Sequence, residues 1–146
     1  MATEKFVSIG VGTEEAGDHI SIDLARVTEV KESEEIDSDM VKTFDEAVPV
    51  PSSDGGYTID ISALEAQELN KFINLKKILK RMKSETGTLQ VIENVKHQQG
   101  NFTTRREYSD VLLSSNEVTL SAEDLTARDL SFNAGSCKEY VNDELI

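Results

Sequence analysis

Apolar and polar residues alternate along most of this chain, which is the mark of strands with one dry face and one wet face. Val7, Ile9 and Val11 share a face in a first strand over Phe6 to Val11, and Gly10, Gly12 and Gly17 surround the turn that follows. Ile20, Ile22 and Leu24 then alternate with Ser21 and Asp23, but Val27 falls on the opposite parity. That change predicts a bulge or bend near Ala25 and Arg26. Tyr57, Ile59, Ile61 and Ala63 alternate with Thr58, Asp60 and Ser62, and Leu89, Val91, Glu93 and Val95 with Thr88, Gln90 and Ile92. His97 to Asn101 reads as a turn around Gly100. Phe102–Leu113 and Val118–Ala122 read as a hairpin through Ser114, Ser115 and Asn116, and Leu130, Phe132 and Ala134 mark a closing strand.

One segment has a different period. Leu69, Phe72, Ile73, Leu75, Leu79 and Met82 recur at three- and four-residue spacing, which predicts an amphipathic helix within residues 66–84. Glu65 and Glu68 before it, and Lys80, Arg81 and Lys83 at its end, complement the helix dipole, and Gly87 is a plausible terminator. Its expected role is to cover one sheet face while its basic side stays in water. Short connections between seven or eight strands and a single helix predict an α+β, mostly β protein. The expected architecture is an antiparallel two-sheet sandwich or barrel with one flanking helix.

Two segments have no core pattern. Residues 31–39 hold Glu32, Glu34, Glu35, Asp37 and Asp39, and read with Val41 to Phe44 as an exposed acidic hairpin over 31–47. Such mutual repulsion, with no apolar face, predicts a segment mobile in the free subunit. Pro49 to Gly56 reads as a loop.

The 146 residues fit one domain with a sizeable core, and no apolar run approaches the roughly 20 residues of a membrane-spanning helix. The lone Cys137 excludes an internal disulfide and fits a reducing cytoplasm. Net charge is −13, yet residues 66–84 carry six bases against Glu68, or +5; −13 less +5 leaves −18 on the rest. A surface that acidic disfavours attraction to a phosphate backbone.

Catalytic chemistry is nearly absent from the sequence. His19 and His97 sit at strand ends, and Cys137 has no partner for metal or redox work. Gly10 and Gly12 lack the rest of a dinucleotide fingerprint. Asp37 and Asp39 open like a calcium loop, but Lys42 stands where that loop requires glycine. The reading is of a protein that is not an enzyme, with no cofactor and no metal.

The wet faces are more telling. Thr58, Asp60, Ser62, Thr119, Ser121, Glu123 and Ser131 are small hydroxyls and carboxylates, with Arg128 as the one base nearby. Such a surface suits a wall that does not grip what passes it. The layout of alternating strands, acidic hairpin, proline-containing loop, single helix and a final hairpin ending in L-T-A-R-D-L-S-F-N-A-G resembles the tail tube proteins of tailed bacteriophages. It is similar too to the tubes of contractile injection systems, over roughly Ile20 to Gly135.

That resemblance implies six copies to a ring, with inner sheets joined into one barrel and rings stacked into a DNA conduit. It implies a virion protein assembled in the host cytoplasm, with the tape measure, terminator and sheath as tail partners and no membrane. On this reading the seven wet-face residues look into the lumen. Glu32, Glu34, Glu35, Asp37, Asp39 and Lys42 make inter-ring contacts, because the termini are too short for long arms. Strand edges that no proline blunts are consistent with pairing between subunits. A head–tail connector or tail-terminator ring and a small acidic binding module are the alternatives, and polymerisation separates them from a tube.

Overall fold

The computed structural model describes residues 3–34, 38–42, 47–51, 56–66, 68–114, 120–121 and 126–146, with the backbone alone for 38–42, 47–51, 120–121 and 126–128. The strands are β1 (Thr3–Val11), β2 (Ile20–Arg26), β3 (Glu29–Glu34), β4 (Ser38–Lys42), β5 (Ala47–Pro51) and β6 (Tyr57–Glu65). The helix α1 (Leu69–Arg81) follows, then β7 (Gly87–His97), β8 (Gly100–Leu113), β9 (Leu120–Ser121), β10 (Thr126–Ala134), β11 (Ser136–Val141) and β12 (Glu144–Leu145). The protein is mostly β with one helix, as the alternation predicts.

One antiparallel sheet curls on itself, in the order β2-β1-β7-β8-β10-β6-β3. Two strand runs carry the curl. The β2–β3 run bends at Val27 and Thr28: Val27 N–H bonds the Lys5 carbonyl at 3.1 Å, and Thr28 N–H bonds the Ser62 carbonyl at 3.1 Å. Opposite it, the β10–β11 run turns at Gly135, so β8 pairs with β11 over 104–109 and with β10 at Leu112 and Leu113. The result is a first wall of β2, β1, β7, β8 and β11 facing a second wall of β10, β6 and β3.

Single residues in the left-handed region set the phase along the strands. Leu24 (φ 52°) makes the bulge, with two β2 residues opposite Ser8, so Ala25 turns inward and Leu24 is 59% exposed. The bulge therefore precedes the expected site by a residue, and Leu24 is not a core residue. Ala63 (φ 54°) does the same in β6: Leu64, not Ala63, enters the core. Asp110 (φ 55°) lies at the bulge where β8 slips against Gly87–Leu89. Gly87 opens β7 instead of ending the helix, and a Cβ there would overlap the Gly10 carbonyl oxygen of β1.

The core lies between the walls, built from Val7, Ile9, Leu89 and Val91 of the first and Ile59, Ile61, Leu130 and Phe132 of the second. α1 packs on β1 and β2 and adds Phe72, Leu75, Ile78, Leu79 and the C-cap Met82, whose carbonyl accepts Leu113 N–H at 2.9 Å. Leu69 and Ile73, expected on the buried stripe, are 64% and 41% exposed, while Ile78 takes a core position. At 100° per residue, Leu69 and Ile73 fall on the arc opposite Leu75 and Ile78. Glu65 belongs to β6, and no acidic residue stands in the first helical turn; Lys80 and Arg81 in the last turn are as expected.

The acidic segment differs from its sequence reading. Residues 31–34 are strand β3, paired with β6 from Glu29 opposite Ser62 to Glu34 opposite Tyr57. The hairpin is β4 with β5, pairing Ser38 with Pro51 through Lys42 with Ala47, so Pro49 and Pro51 are in a strand and not a loop. A two-stranded ribbon takes prolines readily because half of its donors have no partner. The polar stretch around Cys137 is β11, a strand the alternation did not reveal.

Candidate functional site

The outward side of the second wall is a small polar grid set by strand register. Ser62 lies opposite Glu29 and Asp129, Asp60 opposite Lys31 and Ser131, and Thr58 opposite Ser33 and Asn133. Their neighbours Ile59, Ile61, Leu130 and Phe132 are buried, so strand period alone turns these groups away from the core. Cross-strand bonds occupy part of the grid: Ser131 Oγ donates to Asp60 Oδ1 at 2.6 Å, and Thr58 Oγ1 to Asn133 Oδ1 at 3.4 Å. Among the described residues, three carboxylates face one amine, that of Lys31. The grid has no apolar anchor, and its polar groups partly satisfy one another.

Thr58, Asp60, Ser62 and Ser131 thus come together on one face, as their spacing predicts. Thr119 and Glu123 lie outside the described residues, and Ser121 is placed by its backbone in β9, paired with Thr126. Of the acidic set, Glu35 and Asp37 lie outside the described residues and Asp39 and Lys42 are placed by backbone in β4. Glu34 is exposed at the end of β3 and accepts a 3.4 Å bond from the Tyr57 hydroxyl.

Glu32 is the exception, because it points between the walls. Its Oε1 accepts Tyr108 Oη at 2.5 Å and Arg106 Nε at 2.5 Å, and its other oxygen pairs with the same guanidinium. Arg106 also holds Glu93 at 2.9 Å, and these three ionic side chains are only 16–20% exposed. Burial works against the Arg106 charge, but the bonds and charges of Glu32 and Glu93 outweigh it and hold Arg106 protonated. Burial, with Glu32 beside it, pushes the Tyr108 phenol well above its usual value. Tyr57 packs edge-on against Tyr108 at 5.6 Å. The sequence reading missed this cluster; its one signal is that Arg106 shares strand parity with Tyr108.

The first wall's outer face contrasts with the grid. Phe6, Ile92, Arg105 and Tyr140 stand in one row across β1, β7, β8 and β11. Arg26 lies 6.0 Å from the Phe6 ring centre and Arg105 4.5 Å from that of Tyr140. Rings and guanidinium groups are side chains that hold partners and phosphates, and among the described residues the grid of the second wall has none of them.

Other candidates carry little chemistry. The His19 ring is exposed, 3.4 Å from the Gly12 carbonyl, and His97 accepts a turn N–H from Gln99. Burial pushes the half-buried Cys137 thiol up, away from reactive thiolate. Among the described residues no cluster of His, Cys, Asp or Glu is set to hold a metal. No helix is long and apolar enough to cross a membrane. Arg81 has a structural role: it clamps the β1–β2 turn by donating to the Asp18 carbonyl at 2.7 Å and pairing with Asp18 and Glu85.

The class is thus a curled antiparallel sheet closed by one helix, with a small-polar, acidic outer face on one wall. No protein-family model matches the chain, and no curated protein matches it. Among solved structures it is similar to the crystal structure of an Hcp protein, at 14% identity over 95% of this chain and 93% of that one, with a TM-score of 0.49. It is also similar to a chain of the anti-feeding prophage baseplate, solved by cryo-electron microscopy with six-fold symmetry. There the identity is 10% over 92% of each chain, with a TM-score of 0.40.

Proposed function

We propose that this protein is the repeating subunit of a tail-type tube, in which rings of six copies stack into a conduit and the second wall lines the lumen. The observation that carries this reading is the grid of Thr58, Asp60, Ser62, Asp129 and Ser131, small, acidic and cross-bonded, backed by a dry core. A polyanion moving past such a wall meets few ion pairs, and a passage that must not bind DNA needs that property. The number six, the tail location and the tail partners are those the sequence resemblance implies, with DNA as the passenger. The role is structural and not enzymatic.

The β4–β5 hairpin is a separate two-stranded sheet and supplies the contact between rings, with Asp39 and Lys42 on it. Glu32, tied down by Arg106 and Tyr108, supports the subunit itself. Sedimentation across a concentration series, with negative-stain micrographs of the same samples, tests the reading. Rings that grow into hollow tubes are expected; a monomer at every concentration, with no tubes even on added tail-tip components, overturns it.

A further inference from the structure

Among the described residues, the large hydrophobic side chains most exposed to water are Leu24, Leu69, Ile73, Leu145 and Ile146, at 59%, 64%, 41%, 60% and 74%. They fall into two patches. Leu69 and Ile73 lie one turn apart on the outer face of α1, sharing that face with Lys76, Lys77 and Lys80. Leu24 is beside the first turn, in a depression it lines with Arg26, Lys71 and Glu65. Among the described residues, none of these lysines is in an ion pair, although Lys76 Nζ sits 5.8 Å from the Phe72 ring centre. The first patch is therefore apolar with a mainly basic surround, in which Lys71, Lys76, Lys77, Lys80 and Arg26 outnumber Glu65 and Glu68.

The second patch is its opposite. Leu145 pairs with Tyr140 in the β11–β12 hairpin, and Ile146 N–H bonds the Glu139 carbonyl at 2.9 Å. Around them stand Glu34, Glu139, Asp143 and Glu144, all exposed, with Lys138 and Arg105, which pairs with Asp143 at 3.5 Å, as the nearby bases. The two patches are also far apart. β1, β7 and β8 separate β2 from β11, about 19 Å across the sheet at the usual strand spacing.

We propose that these patches bind each other between copies of this chain: the α1 face of one subunit docks on the β11–β12 hairpin of the next. The inference rests on the self-assembly proposed above and names the contact that repeats within it. Each patch offers an apolar centre where the other does, and lysines where the other has carboxylates, so both partners lose exposed apolar surface while charges of opposite sign meet at the rim. The patches are different and lie on different sides of the subunit. The contact is therefore heterologous, and repeating it builds a closed ring or a continuing filament. It also removes the exposure of Leu69 and Ile73, for which the isolated subunit has no packing reason.

Charge reversal tests it. Variant one carries Lys76→Glu, Lys77→Glu and Lys80→Glu; variant two carries Glu139→Lys and Glu144→Lys; variant three carries all five changes. All five positions are exposed, so thermal melts should match the parent within a few degrees and show that each folds. In sedimentation, variants one and two should each need about tenfold or more protein to assemble, because like charges then meet at the rim. Variant three restores opposite signs and should recover most of the assembly. In one-to-one mixtures of variants one and two every contact between unlike variants joins opposite charges, so the mixture should assemble by alternation where each variant alone does not. If all three variants assemble like the parent, the contact is elsewhere and the tube reading stands. If the parent stays monomeric, both fall. If both single-sided variants lose assembly and variant three stays lost, the patches bind some other surface and the proposal is overturned.

Discussion

The chain closes its core in two ways, one dry and one ionic. Beneath α1 the closure is dry: Leu75, Ile78 and Met82 are fully buried in the same core as Val11, Leu64 and Val111. Toward β3 and β11 it is ionic, where Glu32, Arg106, Glu93 and Tyr108 bridge the walls. A dry closure stabilises by removing apolar surface from water and is indifferent to pH. An ionic one must offset the desolvation of its charges, so it adds less stability but fixes which residues meet.

Shortening the dry closure should have the largest effect. Leu75→Ala leaves a cavity that the surrounding helix and strands cannot fill, at a cost of about 3 kcal/mol. Urea unfolding should show a lower midpoint at unchanged slope; a loss under about 1 kcal/mol would mean that α1 is not a rigid part of the core.

Breaking the ionic closure on one side should cost somewhat less, since its members keep some contact with water. Arg106→Met leaves Glu32 and Glu93 facing each other without a cation and should cost about 2 kcal/mol. Adding Glu32→Leu to it should return part of that loss, because one of the two stranded charges goes. A double-mutant cycle over these variants measures the coupling, and additive losses would show that the pair contributes no mutual stability.

The smallest effect is in the alkaline range. Tyr108 has its pKa raised above the ordinary 10.0, first by burial and then by its bond to Glu32 and that residue's charge. Below pH 10 both folded and unfolded chains keep the phenol proton, so the contribution is complete there. As pH climbs past 10 the unfolded chain releases the proton first, and stability falls. Tyr57, raised for the same leading reason, adds a loss of the same sign. Unfolding midpoints between pH 8.5 and 11 should fall less steeply for Tyr108→Phe than for the parent. Equal slopes would show that Tyr108 does not hold its proton through the fold.

Much of this was legible in the sequence, for stated reasons. Ile59 and Ile61 against Thr58 and Asp60 gave the second wall and its wet face, because strand period needs no knowledge of the partner. Leu24, Ala63 and Asp110 broke the pattern because each takes a left-handed conformation without being glycine, and one such residue reverses everything after it. The ionic closure was invisible because Glu32 and Arg106 are 74 residues apart and an acidic run resembles a solvated loop. Leu69 and Ile73 extended the helical stripe in sequence, but only the fold shows that their arc faces water.

Thiol labelling tests whether the polar grid faces an enclosed lumen, as proposed. With Cys137→Ser as background, Ser131→Cys and, separately, Thr58→Cys place a thiol on the grid, and Ser109→Cys places one on an exposed first-wall strand. Each is labelled with a small maleimide and with a long polymer-linked maleimide, before and after assembly. The small reagent should label every site in both states, while the polymer reagent should label Ser131→Cys and Thr58→Cys in free subunits only. Equal polymer labelling of the grid thiols in assembled tubes would place that face on the outside and overturn the lumen assignment.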